Sequence, residues 1–148
     1  MSLEIQTVKI RPARASDVPR LAELSGELGY PTSAKEMRHR FARIKPPSSH
    51  AVFVAEFERN VIGWIHVGIT PLLEVALRAE VNGLIVADGQ RSLGAGAKLL
   101  NAAEAWARKK KCTGMSVRSN VIRDRAHAFY ERQGYIQYKT QKAFRKPL

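Results

Sequence analysis

Residues 90–100 read QRSLGAGAKLL, and the reading of this stretch decides the fold. An arginine and two glycines, Arg91, Gly94 and Gly96, stand directly before an apolar-periodic run. Each glycine weakens a helix by about 1 kcal/mol relative to alanine, so two within three positions at a helix start need a reason. Either the chain turns tightly there, or something approaches its backbone closely. Upstream, Glu80 to Ala87 reads as a strand with Asn82-Gly83 inside it. Downstream, Leu93, Ala97, Leu100, Ala103 and Ala107 recur at three or four residues and predict a helix from about Leu93 to Lys110. A helix start that follows a strand presents unpaired N–H groups and a partial positive charge, which suits an anion. Glycines there let a phosphate touch the main chain, and Arg91 adds a forked cationic donor. The residues leave one alternative open: a glycine turn for close helix–strand packing.

The motif is not one of the common nucleotide loops. The dinucleotide pattern G-x-G-x-x-G fails because Leu99 stands three beyond Gly96. The triphosphate loop fits in spacing from Gly89 to Gly94, but Ala95 and Gly96 replace its lysine and hydroxyl. What remains is R-x-x-G-x-G between a strand and a helix.

Outward from this centre, Val8 to Arg11 reads as a short strand ended by Pro12, and Ser16 starts a helix. Val18, Leu21, Leu24 and Leu28 give that helix an apolar stripe, and Gly29 stops it. Ser33 with Glu36 forms a capping box for a second helix, whose inner face is Met37, Phe41 and Ile44 and whose end is Pro46-Pro47. Ala51–Phe57 and Val61–Ile69 form a hairpin about the break at residues 58–60. Beyond the long helix come a strand at Met115 to Arg118, a helix at Arg123 to Gln133 closed by Gly134, and a final hairpin at residues 135–138 and 142–144. The order is strand, two helices, three strands, helix, strand, helix, strands: a mixed α/β domain.

The 148 residues are expected to form a single domain, 1–148, with a real core. The net charge of +12 is uneven. Residues 1–88 hold 11 Lys+Arg against 10 Asp+Glu, whereas residues 89–148 hold 14 against 3. A one-sign field over half of a small domain draws anions, and it is equally compatible with a solubilising surface. The one cysteine, Cys112, excludes an internal disulfide and any multi-cysteine zinc site. No apolar run reaches the ~20 residues of a membrane span, and no basic-then-apolar leader opens the sequence; a cytoplasmic protein without membrane contact is the expectation. Four scattered histidines lack metal-ligand spacing, so no metal is expected.

Arg91-Ser92-Leu93-Gly94-Ala95-Gly96 resembles the acetyl-CoA pyrophosphate loop of the GNAT superfamily of N-acetyltransferases, with Ser92 where that loop often has another glycine. Glu80-Val81-Asn82-Gly83-Leu84-Ile85-Val86 resembles its central strand. Asn120, followed by Ala126-His127-Ala128-Phe129-Tyr130-Glu131-Arg132-Gln133-Gly134-Tyr135, resembles its second motif, and the element order is similar along nearly the whole chain. The closing run through Leu148 resembles enzymes that acetylate small amines, including aminoalkylphosphonates.

The resemblance implies a GNAT-like α/β (α+β) fold: a mixed, mainly antiparallel twisted sheet of six to seven strands with about four helices, its strands splayed at the cofactor cleft. It implies acetyl transfer from acetyl-CoA to a primary amine by direct attack in a ternary complex, and a homodimer. Residues Leu84, Ile85 and Val86 would hold the pantetheine arm and act as an oxyanion site. Arg91, Ser92, Leu93, Gly94, Ala95, Gly96 and Ala97 would hold the diphosphate. Asn120 would contact the pantetheine amides, and His127 would line the cofactor channel, unless it is simply exposed. Asn82-Gly83 is compatible with a bulge that opens the gap.

Attack needs a neutral amine, and an alkylamine with a pKa of ~10.4 is mostly protonated at pH 7. Glu80 matches the family's base, with Glu74 and His66 behind it. The residues equally allow Glu80 to be an outward carboxylate paired with Arg78 or Arg118. Tyr130 matches the family's acid for the leaving thiolate, the alternative being an aromatic packed beside Phe129; Phe129 is assigned to the core. Cys112 follows a lysine run that would favour a low thiol pKa, but no nucleophile motif surrounds it. The small-molecule amine itself is left undetermined. Two other classes stand beside the enzyme: a basic module binding RNA or another polyanion, disfavoured by 7% aromatics and no stacking motif, and a non-catalytic CoA-binding GNAT-like protein.

Overall fold

The computed structural model describes residues 7–44, 49–119 and 124–148. They fall into two compact units, 1–118 and 119–148. The first unit holds a five-stranded sheet in the order β1-β2-β3-β4-β5. Its strands are β1 (Lys9–Pro12), β2 (His50–Phe57), β3 (Asn60–Ile69), β4 (Arg78–Val86) and β5 (Gly114–Val117). The first three pairings are antiparallel, and β4–β5 is parallel. This agrees with the mixed, mainly antiparallel class expected. Three helices belong to this unit: α1 (Val18–Glu27), α2 (Ala34–Ile44) and α3 (Ala95–Lys109).

Local chemistry explains the boundaries. A 3-10 turn at Ala15–Asp17 precedes α1, with the Asp17 carboxylate accepting the Arg14 N–H. Gly29 ends α1 at φ +92. The expected capping box of α2 is formed: Glu36 N–H donates to Ser33 Oγ at 3.0 Å, and Ser33 N–H donates to Glu36 Oε1 at 3.1 Å. Glu58 and Arg59, both at positive φ, turn the β2–β3 hairpin.

The two faces of the sheet are covered differently. Trp64 on β3 donates its indole N–H to Leu21 O of α1 at 3.2 Å, and Arg20 of α1 donates to Val61 O at 2.8 Å. Leu21, Leu24, Val54 and Ile85 are buried on this side, with Met37 and Phe41 of α2 packed beside them. Side chains alternate along a strand, so Gly63 faces the other side, where Leu99 of α3 approaches it. The buried stripe of α3 is Ala95, Leu99, Leu100, Ala103 and Ala107. It differs from the expected stripe at its start: Leu93 lies before the helix, in a 3-10 turn, and stays partly exposed.

The second unit contains α4 (Asp124–Arg132), closed by Gly134 at φ +90. The hairpin expected at residues 135–138 and 142–144 is not formed; residues 135–148 carry no strand. The described sheet therefore has five strands rather than six to seven. Ile136 and Phe144 are exposed, and the stretch carries four cations, Lys139, Lys142, Arg145 and Lys146. An isolated two-stranded ribbon of this kind buries too little to hold itself in water. Pro46-Pro47 lies outside the described residues.

Candidate active site

The β4–β5 pairing is short. It runs from Arg78 opposite Gly114 to Val81 opposite Val117 and stops. Beyond Val81, β4 continues for five residues with β3 as its one partner among the described residues. The divergence starts at a bulge: His66 pairs with Gly83 and Val67 with Val81, leaving Asn82 as the extra residue, as Asn82-Gly83 led one to expect. Ala87 N–H donates to Ile62 O at 2.7 Å, toward β3. Main-chain groups alternate sides along an antiparallel strand, so those of Leu84 and Val86 turn to the bare edge. Ile85, between them, turns back to β3.

That edge leads straight to the start of α3. After β4 the chain turns through Gly89 (φ +82) and a 3-10 turn at Arg91–Leu93, then enters α3 through Gly94 at φ +75. A Cβ on Gly94 would meet nothing within 4 Å, so conformation rather than crowding requires glycine there. The first helical bond runs from Lys98 N–H to Gly94 O at 3.2 Å. The N–H groups of Ala95, Gly96 and Ala97 thus have no acceptor within the helix. Arg91 stands beside them, 3.8 Å from the exposed Asp88 carboxylate. The Ser92 side chain lies outside the described residues. The bare strand edge offers amides to a linear amide chain, and the helix start with Arg91 offers donors to a diphosphate, so the residues present fit CoA.

The sheet face toward α1 carries the remaining polar groups. Glu80 pairs in register with Gly68, and its carboxylate meets Arg118 Nε at 3.1 Å. This is the ion pair that the residues allowed as an alternative, and Glu80 stays half-exposed on the same face. His66 faces the same way; burial, then the charge of His50, pushes its pKa down to about 4. His50 Nδ1 lies 2.9 Å from His66 Nε2. His50 was not among the residues expected at the site. No simple count gave this pairing: counting outward from residues 58–59 sets 50 opposite 67, and the register shift at Ala55/Glu56 makes Gly68 the partner instead, which brings His50 and His66 to one face. Glu74 is exposed in the connection after β3, apart from this cluster.

A larger hollow, about 640 Å³, opens along β2 between α2 and α3. Phe41, Ile44, Phe53 and Trp106 make it largely apolar, with His50 and Lys109 as its ionisable lining.

In the second unit, Tyr130 packs edge-to-face on Phe129 at 5.2 Å and on Tyr135 at 5.9 Å. Burial raises its phenol pKa. Phe129 is half-buried like Tyr130 rather than fully enclosed. His127 Nδ1 is 4.0 Å from Asp124 Oδ1. Asn120 lies outside the described residues. Cys112 does not have the low thiol pKa that the lysine run suggested: burial raises it. Among the described residues, no group of three or more His, Cys, Asp or Glu side chains is arranged to hold a metal, and no helix is long and apolar enough to cross a membrane.

Comparison with known proteins agrees with this geometry. Residues 18–135 match the Acetyltransferase (GNAT) family. The aminoglycoside N(6')-acetyltransferase type 1 of Klebsiella aerogenes is 24% identical over 147 residues, which is 94% of this chain and 96% of that protein. The solved aminoglycoside N-acetyltransferase AAC(6')-Iy, in complex with CoA, superimposes with a TM-score of 0.89 over 100% of both chains at 16% identity. A transcriptional regulator from Bacillus halodurans C-125 superimposes with a TM-score of 0.80 at 23% identity, over 93% of this chain and 99% of its own. At these identities the structural likenesses establish the fold.

Proposed function

Because the chain belongs to the GNAT acetyltransferase family, we propose that the bare edge of β4 and the start of α3 bind acetyl-CoA for transfer of its acetyl group to a primary amine of a small molecule. The observation that carries this reading is the early end of the β4–β5 pairing at Val81, which leaves Leu84 to Val86 open directly upstream of Gly94. Acetyl-CoA supplies the acetyl group as a thioester. The N–H groups of Leu84 and Val86, on either side of Ile85, hold the pantetheine arm and polarise the thioester carbonyl. Arg91, Ser92 and Leu93 with the amides of Gly94, Ala95, Gly96 and Ala97 hold the diphosphate. Asn120 and His127 complete the cofactor channel.

Glu80 takes a proton from the attacking nitrogen, and Tyr130 gives one to the departing sulfur. A phenol whose pKa burial has raised stays protonated at neutral pH, as an acid must be before it acts. Residues 1–148 serve as a single acetyltransferase domain in this reading. The exposed Ile136 and Phe144 near its C-terminus support a homodimer in which a second copy covers them. The single cysteine supports a cytoplasmic setting.

Aminoglycosides, named in the relatives, are the first acceptor class to test. The experiment is a thermal-shift titration with acetyl-CoA, followed by a thioester-consumption screen across amine classes. Protection by acetyl-CoA and amine-dependent release of free thiol are expected. Absence of protection overturns the reading.

A further inference from the structure

Two side chains on the sheet face toward α1 have no part in the roles assigned so far, and a role for them rests on the acetyltransfer reading. His50 stands on β2 and His66 on β3, with ring centroids 5.1 Å apart and planes tilted by 34°. Gly68 is the register partner of His50 on one side and of Glu80 on the other. A Cβ built on Gly68 would lie 2.6 Å from His50 Nδ1, 2.7 Å from its Cε1 and 3.0 Å from Asn82 Nδ2. The imidazole and the bulge amide therefore lean over the glycine from neighbouring strands and fill the space a side chain would need. His66 Nε2 bonds to His50 Nδ1. Among the described residues, His50 Nε2 has no hydrogen-bond partner. Burial keeps His66 neutral at physiological pH.

The geometry points to His50 as a second proton acceptor for the incoming amine, with His66 as the residue that positions it. An ammonium group gives up two protons on becoming an amide. One leaves before nitrogen can attack, the other as the new C–N bond to the acetyl carbon settles into a neutral amide. Glu80 holds one proton at a time and shares its carboxylate with Arg118. His50 Nε2 takes the other, and its Nδ1–H then donates to the lone pair of His66 Nε2. The C–S bond breaks, and the sulfur leaves with the proton of Tyr130. Of the two protons removed from nitrogen, one restores Tyr130 and one passes to solvent.

The test uses the full chain with acetyl-CoA and neamine, or the best primary amine from the screen. His50→Ala is expected to lower kcat by about 10²-fold, the low end for a lost proton-transfer group, with the KM for acetyl-CoA unchanged. Imidazole added to the assay should restore part of that loss, because it fits the space the ring vacates. Gly68→Ala removes no titratable group but displaces the ring, and should lower kcat without imidazole rescue. His50→Gln, with its melting temperature checked, serves if the alanine variant does not fold; it should lose kcat comparably. A His50 variant that folds and keeps wild-type kcat overturns the proposal, as does an alanine variant whose loss imidazole never relieves. Failure of acetyl-CoA to protect the wild-type protein is a distinct result and overturns the acetyltransfer reading as well.

Discussion

Glu80 Oε1 lies 3.1 Å from Arg118 Nε, so the carboxylate on the α1-facing side of the sheet is held by a cation just beyond β5. Arg118 is mostly exposed, and such a pair adds less than about 1 kcal/mol to stability. The pair's consequence is orientation: it fixes the carboxylate two residues before the bulge residue Asn82. Glu80→Gln is expected to lower kcat by about 10²-fold while protection by acetyl-CoA stays unchanged. Arg118→Ala keeps the carboxylate and loses only its tether, so its kcat should fall less. Steady-state kinetics on both variants check the order, and an equal loss in both would assign the effect to the ion pair.

Tyr130 is flanked edge-to-face by Phe129 and Tyr135, and burial raises its pKa above the usual 10. Its acid form therefore persists through neutral pH, and any fall in rate from its ionisation belongs above pH 10. Tyr130→Phe keeps the ring packing and removes the proton. The expected result is a kcat lowered by about 10²-fold with the acetyl-CoA KM and melting temperature held. An unchanged kcat would return Tyr130 to a packing role.

Gly94 and Arg91 separate the conformational from the electrostatic part of diphosphate binding. Gly94→Ala places a Cβ in open space but at φ +75, which costs about 1 kcal/mol. It should raise the acetyl-CoA KM through a shifted helix start. Arg91→Ala leaves the backbone alone and removes one charge-assisted donor, worth roughly 1.5–3 kcal/mol, or a KM raised about ten- to a hundredfold. Added salt should raise the wild-type KM more than that of the Arg91 variant.

These residues were legible because local rules govern them. Glycines before an apolar run, a capping box at Ser33 and Glu36, and a strand broken by Asn82-Gly83 each leave a short-range signature, and α2, α3 and the bulge followed. The start of α3 was misplaced by two residues because Leu93 has helical spacing but sits in a 3-10 turn. The C-terminal hairpin failed for a different reason. Tyr135 to Phe144 has strand-like composition, but strand formation depends on a neighbour, which composition does not supply. The His50–His66 contact was not read because it depends on the register of a hairpin and on an empty Cβ position at Gly68, neither of which any single residue announces.

Away from the chemistry, stability gathers at Arg11. Its guanidinium donates to both oxygens of Asp17, at 2.8 and 2.9 Å, and to Glu56 at 2.8 Å. Asp17 is nearly buried and also accepts the Arg14 N–H at 2.7 Å. Its pKa is lowered, first by the Arg11 hydrogen bonds and despite desolvation. The cluster ties β1, β2 and the entry to α1 together. A carboxylate whose folded pKa is depressed adds stability above its unfolded value of 3.8, and that stability drains away as pH falls through the lower folded value. Asp17→Asn removes the charge but keeps the size. It should cost about 2 kcal/mol near neutral pH, within the range for a hydrogen bond to a charged group, or a melting temperature lower by roughly 4–8 °C. As pH falls below 3.8 toward the lower folded value, the wild-type protein progressively loses the same contribution, so the two stability curves should draw together. Urea denaturation at pH 7 and pH 3 checks both statements; a gap that persists undiminished at pH 3 would mean that packing around Asp17, not its charge, carries the effect.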